Sequence, residues 1–101
     1  MENLDKKEFL LMTERMLQEL LNQSQGKLDA DSIESVQHYI DYSEYEMAFE
    51  GLFIELMKLN HIPQNVDLEK YIELGKNLDL ENESVFDADF WSKFVQFVSR
   101  T

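Results

Sequence analysis

Residues 43–63 read SEYEMAFEGLFIELMKLNHIP, and this stretch decides the fold. Ala48, Phe49, Leu52, Phe53, Leu56 and Met57 recur at the three- and four-residue spacing that puts side chains on one helix face. Ser43 followed by Glu46 has the spacing of a capping box, and Tyr42 and Met47 flank it as a hydrophobic staple would. Asn60-His61-Ile62-Pro63 closes the segment, because proline disfavours helix at the residue before it.

Upstream, Ile33, Val36, Tyr39 and Ile40 form a second stripe, which predicts a helix beginning near Asp31 with Glu34 three residues on. It runs into the opening segment with no room for a long connection, so the two read as a tight helical hairpin. An earlier helix is expected from near Asp5 to near Gln25, with Leu10, Met16, Leu17, Leu20 and Leu21 on one face and Gly26 suited to its C-terminal cap. Downstream, a fourth helix fits from Asp67 to about Leu78. Gly75 shares a side with Leu68, Tyr71, Ile72 and Leu78, where its missing side chain lets another helix come close. Asp79 to Glu83 reads as a polar connector. Ser84 with Asp87 resembles one more cap, opening a last helix with Phe86, Phe90, Trp91, Phe94, Val95 and Val98 on its stripe and Phe97 off it. Trp91 is expected to anchor the core. Strand-like alternation is weak throughout, so the expected fold is all-α: a single compact bundle of about five helices spanning residues 1–101.

The composition narrows function more by exclusion than by assertion. There is no cysteine, which removes a disulfide framework and a thiolate metal site. The opening residues lack a basic leader region, and no run approaches the ~20 apolar residues of a membrane span, so a cytoplasmic address is expected. Lys and Arg total 9 against 21 Asp and Glu, a net charge of -12. That balance opposes direct contact with a phosphate backbone or an anionic membrane and favours a basic protein partner. It is equally what keeps a small protein in solution, and charge alone leaves both readings open.

Chemical motifs are absent where they can be tested. A calcium loop begun at Asp29 would place Glu34 at its glycine position and Ile40 at its final glutamate position; one begun at Asp79 would place Ser84 and Phe90 there. His38 and Glu34 could offer two ligands on one helix face, short of the three or four a metal site wants, and His61 reads as a connector residue. Ser35, His38 and Asp41 all lie on or beside one short helix, a spacing that arises by chance. Glu46 and Glu50, one turn apart, read as a solvated helix face rather than an acid–base pair. No glycine-rich phosphate loop exists. No catalytic residue, cofactor or metal is expected, and the chain reads as a non-enzyme.

What remains is a charge pattern. From residue 28 to 57 stand Asp29, Asp31, Glu34, Asp41, Glu44, Glu46, Glu50 and Glu55, with no Lys or Arg. Residues 78–92 repeat the pattern with Asp79, Glu81, Glu83, Asp87 and Asp89. Capping accounts for Asp31, Glu44, Glu46 and Asp87 but not for Asp41, Glu50 or Glu55, which points to an acidic binding face. Tyr39, Tyr42 and Tyr45 gather at the same junction; tyrosine serves both interface hot spots and the ends of small bundles. Tyr39 reads as structural, and Tyr42 and Tyr45 are open to either role.

The segment Tyr39-Ile40-Asp41-Tyr42-Ser43-Glu44-Tyr45-Glu46-Met47-Ala48-Phe49-Glu50-Gly51-Leu52, followed by Asn60-His61-Ile62-Pro63 and later by Leu74-Gly75 and Leu78, resembles the MafI-type immunity proteins of bacterial polymorphic toxin and contact-dependent inhibition systems. The resemblance spans about residues 33–80, roughly half of the chain; the first and last helices lie outside it. It implies an immunity protein that binds and neutralises a cognate toxin domain in the cytoplasm. Such toxins are often nucleases, whose clefts are basic. The toxin-facing residues expected are Asp41, Tyr42, Glu44, Tyr45, Glu46 and Glu50. The alternative is a small acidic adaptor, a nucleic-acid mimic or a secretion chaperone. Neither reading sets the oligomeric state.

Overall fold

The structure is a computed structural model and describes residues 5–100. Residues 1–4, on which much of the expectation about a leader rests, lie outside the described residues. Among the described residues five helices follow one another: α1 Lys6–Gln23, α2 Ala30–Asp41, α3 Tyr45–Leu59, α4 Leu68–Asn77 and α5 Phe90–Ser99. The fold is an all-α bundle. Among the described residues no helix is long and apolar enough to cross a membrane.

α3 is the central helix, packing on α1, α2 and α5. Its sequence explains why. Ala48, Phe49, Leu52, Phe53 and Leu56 are wholly buried, and Ile54 and Met57 are half-buried beside them, so nearly every side of the helix is apolar and needs a neighbour. Phe94 of α5 is the hub of the aromatic core, with ring centres 5.4 Å from Phe49, 4.8 Å from Phe53, 5.6 Å from Phe90 and 5.1 Å from Trp91. Gly75 of α4 makes room for this cluster. A Cβ there would sit 2.6 Å from the Trp91 ring and 3.1 Å from Phe49, so the close approach expected from the sequence is realised. Tyr71 joins α4 to α1 by donating its hydroxyl to the Met16 carbonyl at 2.8 Å.

Several helix ends differ from the expectation. α2 is capped by Asp29, whose carboxylate accepts from the Ser32 N–H at 2.7 Å; Asp31 falls in the first turn, where the helix dipole favours an acid. Ser43 is not the cap of α3. It has φ +59° and lies in the left-handed region, because it forms the end of α2: Ser43 N–H donates to Ile40 and Glu44 N–H to Tyr39. α3 therefore has Glu44 as its N-cap, without a side-chain cap bond, and Tyr42, 68% exposed, makes no staple. Asn60 and Asp79 play the Ser43 part at the ends of α3 and α4, with His61 N–H reaching Leu56 and Leu80 N–H reaching Gly75. α5 begins at Phe90, later than the Ser84–Asp87 cap suggested. Phe97 is in the core, while Phe86 and Val95 face solvent.

Candidate partner-binding face

The residues singled out from the sequence divide into two groups. Asp41, Tyr42, Glu44 and Glu46 are exposed around the α2–α3 turn. Tyr45 is buried, and Glu50 is 0% exposed. Both leave the surface set for a physical reason: α3 is central, and these two positions point to its packed sides. The expectation that Glu46 and Glu50 share a solvated face is thus corrected for Glu50.

Glu50 accepts three successive backbone N–H groups. Oε1 takes Val85 at 2.7 Å, and Oε2 takes Phe86 and Asp87, each at 2.8 Å. Removing a carboxylate from water costs several kcal/mol, and three charge-assisted hydrogen bonds offset it. The loop so gripped is held further by Asp87, whose carboxylate accepts from Asp89 N–H at 2.9 Å and pairs with Lys93 at 2.9 Å. The Lys93 ammonium first, and the Asp89 N–H after it, hold the Asp87 carboxyl below the usual range. The result is a fixed loop tip with Val85 42% and Phe86 51% exposed.

Phe86 does not stand alone. Its ring centre is 6.1 Å from Tyr39, Tyr39 is 6.2 Å from His38, and His38 lies 4.4 Å from Tyr42. These four rings make a continuous aromatic row from the gripped loop, along α2, to the α2–α3 turn. Exposed carboxylates of α2 flank it: Asp31, Glu34 and Asp41. Asp41 is steadied by Gln37, whose Nε2 donates to it at 2.9 Å, and Gln37 is itself locked to Gln18 of α1 by two reciprocal amide bonds of 2.8 Å. The side chains of Glu44 and Glu46 have no partner among the described residues.

The fold also moves cations. Lys6 and Lys7 of α1 border a depression shared with Ser43 and Tyr45, so the turn is less purely acidic than its own sequence suggests. Between α2 and α3, a groove beside Phe86 carries Asp31 and Glu55 on its rim. Lys58 beside it is paired with Glu55 at 3.3 Å, and Lys93 is paired with Asp87, the neighbour of Phe86, at 2.9 Å.

Phe86 and the groove were missed in the sequence because Phe86, Phe90 and Phe94 keep helical spacing. The available signal was Glu50 itself, a carboxylate inside the most apolar helix of the chain, which has to meet donors from somewhere else in the fold. No protein-family model matches the chain, and no curated protein or solved structure matches it either.

Proposed function

We propose that this chain is an inhibitory binding protein of the immunity type, which neutralises a basic partner domain by covering it with the acidic, aromatic face of α2 and the α2–α3 turn. The observation that carries the reading is the row of rings, exposed at His38, Tyr42 and Phe86 and half-buried at Tyr39, set among carboxylates that the chain does not neutralise itself. Aromatic side chains supply contact area at low entropic cost, and the surrounding charge speeds encounter with a basic surface and rejects acidic ones. The reading assigns the chain no catalytic chemistry. The resemblance of residues 33–80 to MafI-type proteins makes a toxin domain encoded beside this gene the partner to test first, and a nuclease cleft is one surface with the required charge.

Co-expression of that neighbouring toxin domain with and without this chain tests it, scored by cell growth and by co-purification. Relief of toxicity in a stable complex is the expected outcome. The double reversal Glu44→Lys with Glu46→Lys is then expected to slow association by about tenfold at low salt, with the difference shrinking as salt is raised. A toxin that stays lethal in the presence of this chain, with no complex, would remove the immunity reading and favour an acidic adaptor.

A further inference from the structure

Phenylalanine is used consistently in this chain, with one exception. Phe49, Phe53, Phe90 and Phe94 are wholly buried and Phe97 nearly so, and Phe9 packs against the core. Phe86 alone leaves half its surface in water, next to exposed Val85. The loop that carries it is held by a buried charge on three N–H groups rather than by burying its own side chains. An exposed ring fixed in this way loses little freedom on binding, which is the property of an interface anchor.

The ground beside Phe86 is concave. The groove between α2 and α3 measures about 360 Å³, with Val36 and Ile54 in its lining and Tyr39 beside Phe86. Gly51 keeps it open between the two rings: a Cβ there would lie 3.8 Å from Phe86 and 3.9 Å from Tyr39, filling space without a clash. The volume is at the low end of the range for binding sites, enough for one or two side chains. Asp31 and Glu55 line it, and the lysines beside it are both engaged, Lys58 by Glu55 and Lys93 by Asp87, which leaves Asp31 without a cation among the described residues. At the α2–α3 turn, by contrast, Lys6 and Lys7 border the depression without an ion-pair partner among the described residues.

We propose that Phe86 and this groove are the energetic anchor of the interface, and that the groove receives an apolar side chain of a protein partner flanked by Lys or Arg. The proposal rests on the reading of the chain as a binder of basic protein surfaces and adds where the binding energy is concentrated. Phe86 and Tyr39 grip the apolar group, Asp31 and Glu55 meet the flanking cations, and the carboxylates at the turn act mainly on the rate of encounter.

The test uses the whole chain, labelled with 15N, titrated by NMR with a short synthetic peptide carrying one phenylalanine between two pairs of lysines. Control peptides replace the phenylalanine by serine or the lysines by glutamate. The expected result is saturable shifts at the amides of residues 31–39, 51–55 and 85–87, with affinity about tenfold weaker for the serine peptide and for Phe86→Ala. Ser35→Arg, an exposed change on the groove wall, is expected to weaken the lysine peptide equally while leaving the melting temperature unchanged. Equal affinity for the phenylalanine and serine peptides, or shifts confined to residues 41–46, would overturn the anchor while leaving a basic partner in place. Absence of binding by every lysine peptide would also overturn it, and the growth assay above then judges the immunity reading independently.

Discussion

Glu46 and Glu50 stand one helical turn apart on α3. The first is exposed at the α2–α3 turn with nothing bonded to its carboxylate; the second is fully buried and holds three backbone N–H groups of a loop 35 to 37 residues away. The contrast teaches that acidity in this chain has two uses. One acid leaves its charge available to a partner. The other spends its charge inside the molecule and shapes the loop that offers Phe86 to solvent.

The largest effect expected from breaking the contrast is at Glu50. Glu50→Ala leaves three N–H groups without acceptors, and Glu50→Gln sets an amide donor against N–H donors. Each is expected to cost about 3–5 kcal/mol in urea unfolding, whereas Glu46→Gln is expected to stay within about 0.5 kcal/mol. A cost near zero at Glu50 would show that the loop does not depend on the charge.

A second pair puts the same question to glycine. Gly75→Ala drives a methyl to 2.6 Å from Trp91, and after the gain in helix propensity a net loss of about 1–2 kcal/mol is expected in thermal unfolding. Gly51→Ala meets only ordinary contacts at 3.8 and 3.9 Å, so it is expected to stabilise by up to about 1 kcal/mol. Equal effects at the two sites would mean that Trp91 yields.

Tyr71 is a milder counterpart of Glu50, a polar group whose one bond crosses between helices. Tyr71→Phe is expected to cost about 1 kcal/mol at neutral pH. Burial first, and the charge of Glu19 second, push its hydroxyl up to about 12 from 10.0. A raised value means that the contribution is fully present below pH 10.0 and is lost as pH rises through about 12. Denaturation across that window should therefore show a steeper fall for the natural protein than for Tyr71→Phe. The smallest effect is at the turn itself: Ser43→Gly relieves a left-handed serine at φ +59° and is expected to stabilise by about 0.5 kcal/mol, measured by the urea midpoint.

The helices were legible because their signals are local. The stripes of α2 and α3, the spacing of Leu17, Leu20 and Leu21, and the place of Gly75 on the apolar side of α4 all follow from a 3.6-residue period and side-chain size. The turns were less legible because Ser43, Asn60 and Asp79 do the work usually signalled by glycine, and nothing in their immediate neighbours distinguishes an end of one helix from the start of the next. The candidate site divides along the same line. Asp41, Tyr42, Glu44 and Glu46 could be read as surface from their place at a polar junction.

By itself, then, the sequence determined an acidic, cysteine-free, all-helical chain with two stretches of carboxylates free of Lys and Arg, since composition and periodicity need no knowledge of distant neighbours. Tertiary structure alone decided which carboxylates stay at the surface. Phe86 has the spacing to open α5, but the N–H groups of residues 85–87 are taken by Glu50, so the chain there is a loop and its phenylalanine points to water. A buried charge must find its donors wherever the fold brings them, and that requirement is not written in the spacing of either segment.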